Sequence, residues 1–137
     1  HQAESMYRGL IEHSMVGIYI VKDMKIAYAN PSLMTMFGYS ADEIIGMNIL
    51  ELTVPGERAK AVEAVRERIT SSANAGRRVF TGLRKDGREI IVDIHNTRAG
   101  SDADPVMMGV VIDITETWRA EAQAALHVAH LQRMVQE

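Results

Sequence analysis

The chain has 137 residues, 47% hydrophobic and 24% charged, a composition that fits one soluble globular core and excludes disordered, collagen-like or bilayer-spanning classes. Fifteen basic against eighteen acidic residues leave a net charge of −3, too balanced to gather nucleic acid or anionic lipid through a global field. The absence of cysteine excludes disulfides, thiolate metal sites, a thiol nucleophile and any chromophore attached through sulfur.

Residues 1–14 carry Met6 and Leu10 at helical spacing and predict an amphipathic flanking helix. Val16–Val21 and Lys25–Ala29 are β-branched and aromatic runs around the polar break Lys22-Asp23-Met24, which predicts an antiparallel pair. Asn30-Pro31 ends the second run and opens a short helix that stops at Gly38, because proline suits a first helical turn and glycine a last one. Ser40-Ala-Asp-Glu43 has the spacing of a capping box, and Gly46 closes that helix. Over Gly56–Ser72, Ala59, Val62, Val65 and Ile69 recur at helical spacing and predict the buried stripe of a longer helix. Arg77–Leu83, Asp86-Gly87 and Arg88–Thr97 are the clearest hairpin signal, followed by a loop over Gly100–Pro105 and a strand over Val106–Ile114. From Thr115, which is placed to cap it, the chain is helical to the end. The order implies an α+β fold, an antiparallel sheet with helices over one face and flanking helices at both termini.

Tyr28-Ala-Asn-Pro-Ser-Leu-Met-Thr-Met-Phe-Gly-Tyr-Ser-Ala-Asp-Glu-Ile-Ile-Gly46 resembles the signature of PAS domains, the small sensory modules of signalling proteins. Arg84-Lys-Asp-Gly87 and Asp113-Ile-Thr115 are similar to later parts of the same pattern, in the same order. The resemblance implies a five-stranded antiparallel sheet whose inner face holds a ligand or a plain core. It also implies a division into a flanking helix at 1–14, a sensor domain at 15–115 and a linker helix at 116–137. Members that form a flavin adduct or a thioester chromophore need a cysteine, which is missing. Oxygen sensors of the family take a haem-ligating histidine from the longer helix, and Gly56–Ser72 has none. Haem and flavin are therefore disfavoured as cofactors, and no cofactor is expected to be held covalently.

Strand parity places Ile90, Val92, Ile94 and Asn96 on one face of the strand after Gly87, the more apolar one. For the partner strand, parity leaves open whether Arg78, Phe80 and Gly82 or the alternate residues point inward. Arg78 matches the position that carries a ligand-facing arginine in oxygen-sensing PAS domains, and so the resemblance implies Arg78 and Asn96 as the polar end of a cavity. An arginine fork beside an amide suits a carboxylate, through charge-assisted hydrogen bonds. The remaining candidate wall is Met34, Met36, Phe37, Met47, Ile49, Leu52, Val62, Phe80, Val92 and Ile94, with Met107 or Met108. Nine methionines against seven aromatics suggest a pliable apolar pocket rather than an aromatic slot. The ligand expected is an amphipathic carboxylate such as a fatty acid; the plainer alternative is that these methionines only fill a core and Arg78 is solvated.

In the last helix, Ala124, Val128, Leu131 and Val135 follow the 4-3-4 spacing of a coiled-coil seam. This predicts a homodimer through the flanking helices that drives an attached output domain, a kinase or a cyclic-dinucleotide enzyme. Asp113, Thr115 and Trp118 stand where sheet meets helix and are the candidates for signal transmission. His127 and His130 are three apart and could share a metal on one helical face, but such a pair is more often solvated, and no metal site is expected. No nucleophile with its base, catalytic carboxylate pair or phosphate loop is visible, so the expectation is a non-enzymatic module. With no leader or spanning segment in the sequence, the expected location is the cytoplasm, without nucleic-acid or membrane partners. The runner-up is a ligand-free dimerisation and signal-transmission module, followed by a haem or flavin redox or gas sensor.

Overall fold

The computed structural model describes residues 16–136 apart from Ser72 and Asn74; the helix expected over 1–14 lies outside the described residues. Two hairpins organise the chain. Strands β1 (Gly17–Lys22) and β2 (Lys25–Ala29) pair around Asp23 and Met24, both in the left-handed region at φ 50° and 66°. That double positive φ matches the right-handed twist of the flanking strands. Strands β3 (Ala75–Leu83) and β4 (Glu89–Gly100) pair around Asp86-Gly87, where Gly87 takes φ 87° and the Asp86 carboxylate accepts from the Arg88 amide at 2.9 Å. Strand β5 (Pro105–Asp113) runs between the two hairpins and joins them into one antiparallel sheet of order β2-β1-β5-β4-β3.

Between the hairpins lie α1 (Pro31–Phe37), α2 (Ala41–Ile44), two 3₁₀ turns (Ile49–Leu52 and Pro55–Glu57) and α3 (Arg58–Thr70); α4 (Thr115–Gln136) ends the chain. The fully buried Asn30 caps α1, accepting from the Leu33 amide at 3.0 Å and the Ile18 amide at 2.8 Å. Its Nδ2 donates to the Val16 carbonyl at 2.9 Å, so one side chain starts the helix and holds it to β1. Gly38, in the left-handed region, returns its amide to the Met34 carbonyl and ends α1. The capping box of α2 is present in both directions between Ser40 and Glu43.

The helices cover one face of the sheet, and the core between them is built from Tyr19, Val21, Ile26, Leu33, Phe37, Ile44, Phe80, Val92 and Val111. The expected buried stripe of α3 is corrected. Ala61, Ala64 and Arg68 are buried, whereas Ala59 and Val62 face solvent. Small residues let α3 approach the sheet, and β-branched Val62 falls about a quarter-turn away from that line.

Candidate functional site

Register settles the parity left open above: Phe80 lies opposite Val92 and Gly82 opposite Ile90, so this set of β3 faces the helices. Between the inner sheet face and α3 lies a cavity of about 50 Å³. Phe37, Ile49, Leu52, Phe80, Val92, Ile94 and Asn96 are on its wall, as is Met107 from β5. Sequence reasoning did not single out Tyr19, Leu33, Thr53, Ala61, Ala64 or Val111, which complete it together with Val65 and Gly82.

Several expected wall residues stand elsewhere. Met34 and Met47 are half-buried and pack on the core from outside, and Met36 does the same. In α1 the inward positions are taken by Leu33 and Phe37, which leaves Met34 and Met36 beside that line. Val62 is on the solvent side of α3, and Met108 alternates with the buried Met107 onto the outer face of β5. The methionine-rich wall is thus reduced to Met107.

Arg78 is also corrected. It shares the inner face by register, but its guanidinium turns to the sheet edge and pairs with Glu67 of α3 at 2.5 Å. The arginine that meets Asn96 is Arg68, whose Nε donates to Asn96 Oδ1 at 2.6 Å and whose Nη1 donates to the Ala73 carbonyl at 2.8 Å. Arg68 is 7% exposed and has no carboxylate partner among the described residues. A signal for it existed in the spacing Ala61, Ala64, Val65, Arg68, one complete helical face of small residues ending in a cation.

Polar contacts fasten α3 along β3. Glu57 accepts from the Thr81 amide at 2.9 Å and from its hydroxyl at 2.8 Å, and Lys60 donates to the Val79 carbonyl at 3.1 Å while lying over the Phe80 ring. On the opposite sheet face Arg77 grips Asp93 through two hydrogen bonds of 2.8 and 2.9 Å. Those bonds hold the Asp93 carboxyl below the usual carboxylate range. Burial pushes the Tyr19 hydroxyl well above the ordinary phenol range, which keeps it neutral.

The junction to α4 is built from Asp113 and Thr115. Asp113 Oδ1 accepts from the Thr115 amide at 3.0 Å and from its hydroxyl at 2.5 Å. Asp113, rather than Thr115, therefore receives the first amide of α4. The Thr115 oxygen accepts in turn from the Ile91 amide of β4 at 2.9 Å, and the Ile114 amide donates to the Ile91 carbonyl at 2.9 Å. Trp118 is 48% exposed on the first turns of α4. Beyond it the helix is solvent-exposed, with Val128, Leu131 and Val135 along one side.

The family model described as PAS domain matches residues 15–116. The chain belongs to the PAS domain family. Among solved structures, a PAS domain from Colwellia psychrerythraea aligns with a TM-score of 0.76 at 19% identity, covering 83% of this chain and 98% of that one. A PAS domain from a two-component sensor histidine kinase aligns at 0.69 and 18% identity, over 82% and 96% of the two chains. A PAS domain of a LuxR-family transcriptional regulator from Burkholderia thailandensis, solved in complex with ethanol, aligns at 0.68 and 13% identity, over 79% and 96%. At these identities the likeness is one of fold. PAS domains are sensory modules, generally without catalysis, and occur in signalling proteins such as sensor kinases. Among the described residues no group of side chains has the makings of a metal site, and no helix is long and apolar enough to cross a membrane.

Proposed function

We propose that this PAS domain binds a small ligand in the cavity beneath α3 and passes its state through the β4–α4 junction to an attached output domain. The observation that carries this reading is a partly open cavity in the core that touches polar side chains. Cavities that stay empty are apolar, so one that touches polar side chains takes up water or a polar ligand. The size of the cavity supports a compact ligand, since pockets for drug-sized molecules run to ~300–1,000 Å³. The amphipathic carboxylate expected from the sequence is retained in shortened form. A chain of fatty-acid length requires α3 to move off β3, against the Glu57, Lys60 and Glu67 contacts. The ethanol held by the Burkholderia domain is a ligand of the size this cavity suits. Haem or a flavin exceeds it many times over, and without cysteine no adduct forms.

A second reading, a ligand-free dimerisation module, is supported by the exposed apolar side of α4, where Leu131 is 45% and Val128 52% exposed. In both readings α4 pairs with a second copy along Val128, Leu131 and Val135, and the domain works inside the cell. The test is thermal melting of the purified chain in a panel of two- to ten-carbon acids, alcohols and amides, with sedimentation at each addition. Stabilisation that saturates with a compact compound is expected. A protein that gains stability from no compound, yet sediments as a dimer, would leave only the second reading.

A further inference from the structure

Strand register sets a polar row across the inner face of the sheet. Tyr19 of β1 lies opposite Gly109 of β5, Gly109 opposite Asn96 of β4, and Asn96 opposite Gly76 of β3. The two glycines make room. A Cβ on Gly109 would collide with the Tyr19 ring, whose hydroxyl lies 2.5 Å from that point, so the phenol reaches across β5 towards Asn96. A Cβ on Gly76 would collide with the Arg68 guanidinium, which therefore lies flat over β3.

Hydrogen-bond accounting gives this row a direction. A guanidinium only donates, so Asn96 must turn its oxygen to Arg68 and its Nδ2 away. Neither Asn96 Nδ2 nor the Tyr19 hydroxyl has a protein partner among the described residues. Among the described residues no sealed side-chain nitrogen or oxygen lacks a partner, so both groups reach free volume, and both residues line the cavity. Arg68, behind Asn96, brings a buried positive charge that no carboxylate among the described residues answers. Its bond to Asn96 Oδ1 polarises the amide and strengthens the opposite N–H as a donor.

We propose that Tyr19, Asn96 and Arg68 form a receptor for the carboxylate of a short-chain acid whose hydrocarbon end occupies the apolar cavity. Tyr19 and Asn96 donate to the anion, and Arg68 positions Asn96 and supplies the compensating charge. The inference rests on the ligand-sensing reading and specifies its ligand class. The experiment titrates the 137-residue chain with sodium acetate, propionate and butyrate and with the isosteric amides and alcohols, at constant ionic strength. It follows melting temperature and the ¹H–¹⁵N signal of Arg68 Nε. Acids are expected to bind at least tenfold more tightly than their amides and to shift the Arg68 signal. Tyr19→Phe, which keeps the ring, is expected to weaken acids about tenfold and amides little. Arg68→Lys is expected to narrow the acid-to-amide preference, a change that a merely structural role for Arg68 would not produce. Equal binding of acids, amides and alcohols would overturn the receptor while leaving a ligand sensor in place. No binding of any compound would overturn both.

Discussion

Ala64→Val tests whether the space beneath α3 is real free volume. Ala64 is 6% exposed and lines the cavity from the helix side. Two added methyl groups placed in a void recover about 1.6 kcal/mol at ~0.8 kcal/mol per buried carbon. From this the lower helix propensity of valine subtracts about 0.6 kcal/mol. The net gain is about 1 kcal/mol. An independent route agrees: at ~24 cal/mol per Å³, a 50 Å³ cavity costs about 1.2 kcal/mol. For a domain of this size that corresponds to a rise in melting temperature of about 3–5 °C, read by calorimetry and by the urea midpoint. The same substitution is expected to abolish stabilisation by added short-chain acids, because it occupies their place. Overpacking of a filled core costs ~1–3 kcal/mol instead. A fall in melting temperature, or a rise with ligand stabilisation intact, would refute the reasoning.

Asn30→Ala removes the cap of α1 and leaves the Ile18 amide without its side-chain partner. About 1 kcal/mol for the cap and ~1–3 kcal/mol for the part-buried amide left unpaired predict a loss of about 2–4 kcal/mol in urea unfolding. Glu43, hydrogen-bonded to Lys85 and to the Ser40 amide, is held at about 2 against an ordinary 4.5. Its carboxylate therefore stabilises the fold fully above about pH 5, and this contribution disappears as pH falls through 4.5 towards 2. Glu43→Gln is expected to flatten the dependence of the urea midpoint over that window and to leave its slope above pH 6 unchanged. Thr115→Val deletes the acceptor of the Ile91 amide; hydrogen exchange at Ile91 is expected to accelerate at least tenfold while amides in β1 keep their protection. Leu131→Glu on the exposed side of α4 is expected to convert a sedimenting dimer to monomer without changing the melting of the sheet.

What the sequence by itself determined was local. Asn30-Pro31, Gly38, the Ser40–Glu43 box and Asp86-Gly87 each place their own backbone hydrogen bonds within a few residues, and all appear at those positions. The period-two pattern of Ile90, Val92, Ile94 and Asn96 likewise identified the inner face of β4. The candidate site was legible only in part, for reasons of distance along the chain. Whether Arg78 or Arg68 meets Asn96 depends on how α3 crosses β3, and that crossing is set by Ala61 and Ala64 allowing close approach. The reach of Tyr19 over Gly109 needs β1 and β5 to be neighbours, although about ninety residues separate them in sequence. Methionine content spoke of pliability, yet Met34 and Met36, both expected on the wall, pack outside it, because side-chain direction on α1 follows the position of Leu33 and Phe37. Local hydrogen bonds close loops of a few residues and leave a signature in sequence. The polar row and its cavity arise from strand neighbours and a helix crossing, which only the assembled tertiary structure decides.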